Sequence, residues 1–138
     1  MAKQSGLGDY FAVDNSAGSL KDISNDVTNI TVNVGQNMID ITGLDKSAME
    51  RLIGLSDGSF QVNGVFNASA NQAHSVVSTR TGTRTVTYAI GGNTAGNPVL
   101  SMECLIDSYN LNRGNDGSVI FTAGLQLQSG TVPTWGTV

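Results

Sequence analysis

The chain has 138 residues and a mass of 14.3 kDa, enough for one compact domain with a short arm and too little for a catalytic domain beside a binding domain. Charged residues make up 13% of it against 39% hydrophobic content, which excludes a disordered chain, and no apolar run approaches the ~18 residues of a membrane span. Eleven Asp and Glu against seven Lys and Arg, for a net charge of −4, also argue against a protein that grips duplex DNA, because such affinity comes from neutralising phosphates.

Gly, Ser, Thr and Asn fill 57 positions (17, 14, 13 and 13), so turn chemistry is plentiful and the apolar residues must mark the elements. Residues 1–9 are small and polar, with no stripe to face a core, and read as a flexible N-terminal arm. They also lack an apolar run of signal-peptide length, so synthesis and folding in a host cytoplasm are expected. Tyr10-Phe11-Ala12-Val13 is a short strand, followed by a turn over residues 14–19. In residues 27–42, Ile30, Val32 and Val34 alternate with polar residues, then Ile39 and Ile41 do, which predicts two strands joined by a loop at Gly35-Gln36-Asn37.

Leu44-Asp45-Lys46-Ser47-Ala48-Met49-Glu50-Arg51-Leu52-Ile53-Gly54 carries the best helix signal. Asp45 can cap the first turn, Ala48 with Leu52 and Met49 with Ile53 share a face, and Gly54 suits the stop. Phe60, Val62, Gly64 and Phe66 then alternate with polar residues as a half-buried strand, and residues 68–78 have room for a short helical turn. Residues 83–90 alternate again. Pro98 opens a long strand with Leu100, Met102, Cys104 and Ile106 inward and Ser101, Glu103 and Asp107 outward. A hairpin loop at residues 112–117 leads to a last strand with Val119, Phe121, Ala123, Leu125 and Leu127 inward. The expectation is a single mainly β domain, a β-sandwich or barrel with one flanking helix. Residues 83–90 carry one charge and residues 118–128 none, whereas exposed strand edges are usually guarded by charge, so these two strands read as edges made for pairing with another chain.

Material for catalysis is scarce. His74 and Cys104 are each the lone residue of their type, and no local signature surrounds a nucleophile; His74 is expected at a surface or interface and Cys104 in the core. Glu103 and Asp107 lie ~13 Å apart along a strand, at ~3.3 Å per residue, wider than a glycosidase pair. Asn115-Asp116-Gly117 lacks the acid spacing of a calcium loop, and Gly6-Leu7-Gly8 lacks the strand and helix of a dinucleotide loop. No catalytic residue, metal ligand or cofactor is expected.

Several motifs occur in order: Asp22-Ile23-Ser24, Ile39-Asp40-Ile41-Thr42, Glu50-Arg51-Leu52-Ile53, then Gly54-Leu55-Ser56-Asp57-Gly58-Ser59-Phe60, with Gly130-Thr131-Val132-Pro133-Thr134-Trp135-Gly136-Thr137 forming a C-terminal tail over residues 130–138. This ordered set resembles the major tail tube proteins of long-tailed, siphovirus-like bacteriophages; residues 68–82 match no motif of that family. The resemblance implies a β-sandwich with a flanking helix, sheets continued between subunits, and hexameric rings stacked as a hollow virion tail tube for genome delivery. It implies as partners further copies of the chain, tail terminator, tape measure and baseplate proteins, and genomic DNA passing without specific binding, with no membrane insertion.

A lumen face should be polar and non-basic so that phosphates are not held, and six copies at −4 carry about −24 together. Gln61, Asn63, Thr85, Thr87, Glu103 and Asp107 are the lumen candidates. Val34, Gly35, Gln36, Asn37, Met38 and Ile39, with Trp135 and the arm, are the ring-stacking candidates, since an internal core explains them poorly. The same architecture serves the inner tube of a contractile tail or tail-like machine. The competing class is a monomeric β-sandwich binding module, carbohydrate-binding or adhesin-like, but the eight aromatic residues fall mostly on core-facing positions and leave few for a stacking platform.

Overall fold

The computed structural model describes residues 5–138; the first four residues of the expected arm lie outside them. Eight strands and one short helix follow in the order β1 (Tyr10–Asp14), β2 (Leu20–Asp22), β3 (Val27–Asp40), β4 (Arg51–Val65), α1 (Ala73–Val77), β5 (Arg84–Ala89), β6 (Pro98–Arg113), β7 (Val119–Leu127) and β8 (Trp135–Thr137). All pair antiparallel in one sheet, ordered β2-β1-β5-β6-β7-β4-β3, with β8 added to the start of β6.

The sheet folds over on itself. β6 is the strand that turns the corner: it pairs with β5 from Val99 to Cys104 and with β7 from Cys104 to Arg113, with a register shift between Ile106 and Ser108. Strands that pass from one layer of a sandwich to the other do so at bulges of this kind. One layer is therefore β3-β4-β7 with the second half of β6, and the facing layer is β2-β1-β5 with its first half.

Between the layers lies the core the alternation foretold. Phe11 of β1 meets Phe60 of β4 edge-on at 5.8 Å between ring centres, and Val62, Val86, Leu100, Cys104, Phe121 and Leu125 pack around them. Each of these larger side chains contributes roughly 1.5–3 kcal/mol by leaving water. Gly64 is required at the crossing of Asp26 and Phe121, since a Cβ there would sit 2.3 Å from the Asp26 carbonyl oxygen and 2.5 Å from the Phe121 ring.

Three expectations are corrected. Residues 44–54 form no helix: residues 41–50 are a loop and Arg51 to Gly54 begin β4. A helix of that length is marginal without a surface to dock on. The apolar residues instead form cross-strand pairs, Met38 with Ile53 and Ile39 with Leu52. Within the loop Lys46 and Glu50 form an ion pair at 3.7 Å. Gly35-Gln36-Asn37 is likewise no loop, because β3 runs through it with only a register shift between Gln36 and Met38. The flanking helix is instead α1, in the stretch that allowed a helical turn.

The third correction concerns edges. β5 and β7 each have a strand on both sides, so they need no guarding charge. Among the described residues the long unpaired borders are β3, which pairs only with β4, and residues 105–113 of β6, which pair only with β7.

Candidate functional site

Alternation along the strands sorts the surface into two sets. On β3, β4, β7 and the second half of β6 the positions facing away from the core include Asn29, Thr31, Gln61, Asn63, Thr122 and Asn110, a band of amides and hydroxyls. No Lys or Arg stands at an outward position of these paired registers. Asp107, at the corner of β6, accepts from the Gln126 amide at 2.5 Å and lies over Gly124, where a Cβ would be 2.4 Å from its carboxylate.

Of the six lumen candidates, Gln61, Asn63 and Asp107 belong to this layer or its corner. Thr85, Thr87 and Glu103 also face away from the core, but on the opposing layer, where β5 pairs with β6. Thr85 donates its hydroxyl to Glu103 at 2.6 Å. A sandwich points its two outer faces in opposite directions, so these two groups cannot line one surface.

The hairpin formed by the distal halves of β3 and β4 projects past the sheet. β7 pairs with β4 only from Ser59 onward, so residues 51–58 have β3 as their sole neighbouring strand. At its tip the Thr42 hydroxyl and N–H donate to Asp40 at 2.7 and 2.9 Å and hold that carboxyl below the usual carboxylate range. Thr42 Oγ1 in turn accepts from the Glu50 N–H at 2.8 Å, closing the loop. The stacking candidates Val34, Met38 and Ile39 are 42%, 50% and 44% exposed on this hairpin, and Gly35, Gln36 and Asn37 lie between them. Trp135 is elsewhere, 48% exposed on β8 beside Leu100.

Cys104 and His74 are both engaged in packing contacts. Cys104 is fully buried, and burial, with Glu103 beside it, pushes its thiol up to about 12, so it packs as a protonated hydrophobe. His74 lies between Phe66 and Tyr109, with Nδ1 3.0 Å from the Tyr109 hydroxyl. Asp9 anchors the end of the arm by accepting from the Tyr88 hydroxyl at 2.6 Å and the Gly91 N–H at 2.7 Å. A groove of about 470 Å³ lies under that anchor at the open seam between β1 and the start of β3. Among the described residues no three His, Cys, Asp or Glu side chains converge as a metal site would require.

Sequence comparison is silent: no family model and no curated protein matches this chain. Structural comparison is not. Over 99% of its length the chain superposes on the SPP1 tail tube with a TM-score of 0.76 at 11% identity, covering 80% of that chain. This is a tail-tube fold. It is also similar, at 13% identity and a TM-score of 0.69, to a chain in the tail of a gene transfer agent particle with C6 symmetry, each chain covered to 99%. A chain of the six-fold symmetrised baseplate of the anti-feeding prophage is similar at 12% identity and a TM-score of 0.62, with 100% of this chain and 97% of that one covered. Identities this low speak for shared architecture, which the full-length coverage makes complete.

Proposed function

We propose that this chain is the structural subunit of a virion tail tube. Its copies close into six-fold rings, and the rings stack around a bore through which a genome passes. The observation that carries this reading is the full-length tail-tube fold in a chain whose β3-β4-β7-β6 layer is unpaired along both flanks. The β3 edge of one copy meets the second half of β6 in the next, and ring closure leaves neither long border of that layer free. Six copies of a four-stranded layer make a barrel of about 24 strands. At ~4.8 Å spacing and ~40° tilt its backbone radius is on the order of 24 Å, wide enough for a duplex after side chains are added.

In this arrangement Gln61, Asn63 and Asp107 face the bore, while Thr85, Thr87 and Glu103 face away from it. The bore is hydrogen-bonding and non-basic, so phosphates find no cation to hold them. The hairpin residues Val34 to Ile39 join one ring to the next, with Trp135 as a second contact. Tail terminator, tape measure and baseplate proteins are the partners at the tube's ends and interior. The greater similarity to the SPP1 tail tube than to the baseplate chain supports a tube role over a baseplate role.

Negative-stain electron microscopy of the concentrated protein tests the reading. Rings or hollow filaments of uniform bore are expected. Monodisperse monomers under all conditions, together with binding on a glycan array, would establish the binding module in its place.

A further inference from the structure

The loop that ends the β3–β4 hairpin is closed around one hydroxyl. Thr42 Oγ1 accepts from the Glu50 N–H at 2.8 Å, donates to Asp40 at 2.7 Å, and lies 3.8 Å from the Met49 sulfur. The Glu50 carbonyl oxygen, 3.3 Å from the same hydroxyl, accepts from the Ile41 N–H at 3.0 Å. A hydroxyl has a single proton, and the short contact to a carboxylate claims it over a thioether, which is a weak acceptor. Met49 is 55% exposed, whereas Met102 is 6% exposed and packs beside Gly58. Cys104 is a buried, protonated thiol, and the thiolate is the form that oxidants attack. Among the described residues the exposed sulfurs are therefore Met38 and Met49, and of these Met49 is the one that touches the hydrogen bonds closing the loop.

We propose that Met49 is a redox-sensitive switch: a peroxide oxidises it in the free subunit, and its sulfoxide loosens the loop over residues 41–50. The thioether sulfur attacks one oxygen of hydrogen peroxide; the S–O bond forms, the O–O bond breaks, and the other oxygen leaves as water. Sulfur gives up two electrons and the peroxide takes them. A weak acceptor thereby becomes a polar group whose new oxygen comes within hydrogen-bond reach of Thr42 Oγ1. The one Thr42 proton is then shared between two strong acceptors, so Asp40 loses part of its donor and the set of bonds joining residues 40 and 50 is weakened. Enzymatic reduction of the sulfoxide restores the starting arrangement, which makes the change reversible. Because residues 34–39 of the same hairpin join one ring to the next in the tube reading, a loosened loop slows the stacking of rings. That consequence rests on the tube reading; the local loosening does not.

The test uses the full chain carrying Met38→Leu, treated with hydrogen peroxide and mapped by peptide mass spectrometry. One oxygen on Met49 and none on Met102 is expected. After oxidation the Glu50 amide should exchange about fivefold faster or more, as the loss of one hydrogen bond would give. The Asp40 carboxyl, which Thr42 holds below the usual carboxylate range, should titrate higher by NMR. Methionine sulfoxide reductase should reverse both changes, and Met49→Leu in the same background should show neither. Oxidation of Met102 as fast as Met49, or a fully oxidised Met49 with unchanged Glu50 exchange or Asp40 titration, overturns the switch. Electron microscopy of reduced, oxidised and repaired protein reads the effect on stacking: fewer tubes after oxidation, restored by the reductase, are expected. Equal tube yield after oxidation overturns the link to stacking and leaves the tube reading standing. No tubes from the reduced protein overturns the tube reading, and the exchange measurement still decides the switch.

Discussion

Arg84 has a cation in the core and no carboxylate bonded to it. Its side chain is 1% exposed, and it donates to four main-chain carbonyls: Thr81 at 3.2 Å, Asp14 at 2.9 Å, Val76 at 2.8 Å, and Thr79. One guanidinium thus joins the end of β1, the end of α1 and the loop before β5. Arg84→Ala should lower the unfolding free energy by about 3 kcal/mol or more, because four carbonyls lose a charged donor. Arg84→Lys should recover only part, since a point charge lacks the planar fork. Urea midpoints of the two variants check both. Tyr88 gives a pH-dependent counterpart. Burial, then the hydrogen bond to Asp9, raises its phenol from 10.0 to about 12. Folding therefore favours the neutral form: its contribution is intact below pH 10 and is lost as pH rises from 10 to about 12. Tyr88→Phe should cost about 1 kcal/mol at pH 7 through the lost bond and flatten the decline above pH 10. Urea midpoints at pH 7 and pH 11 would read both effects.

At the scale of elements, α1 has five residues and cannot persist by propensity. It is held from outside. Asp26, buried to 4% exposure, accepts from the Ala73 N–H at 3.0 Å and from the Asn67 amide at 2.9 Å, while Ala73, Val76 and Val77 pack in the core. Asp26→Ala should free this segment at a cost of about 1–3 kcal/mol, read as faster amide exchange in residues 73–78 with the β6–β7 ladder unchanged. Equal acceleration in β7 would mean that Asp26 supports the whole sandwich. The same scale explains the misread hairpin. A window of residues 44–54 contains a cap, a one-turn apolar stripe and a glycine stop, and all three are local signals. The partner that makes Leu52 and Ile53 strand residues is β3, a dozen or more positions earlier, and no local window includes it. The sure strands β6 and β7 were legible because their alternation is long and their turn, Gly114-Asn115-Asp116-Gly117, lies between them.

For the whole molecule, the proposed tube turns on which outer face would look into its bore. Lys at Gln61 and Asn63 together should leave tube assembly intact, since both side chains point away from the core and from the ring edges, and should slow genome passage by adding twelve cations to a six-fold ring. Glu103→Lys, on the opposing layer, should leave passage unchanged. DNA ejection from particles carrying each variant distinguishes them; equal effects from both would reverse or abolish the layer assignment.

Side-chain alternation and composition are written locally, so the sequence made legible that the chain is mainly β and that Phe60, Val62, Leu100, Met102, Cys104, Ile106, Phe121, Ala123 and Leu125 face the core, while the buried Ala73, Val76, Val77 and Arg84 carried no such pattern. It also carried the ordered motifs that resemble tail tube proteins, in keeping with the fold. Which strands are edges, that the bend in β6 leaves Thr85 and Thr87 of β5 and Glu103 of β6 in a layer opposite Gln61 and Asn63, and that the β3–β4 hairpin projects with Met38, Ile39, Leu52 and Ile53 exposed became visible only in three dimensions. Those depend on pairing register and on where a sheet bends. Both are set by contacts between residues far apart in the chain, and a one-residue bulge is enough to change which way a side chain faces.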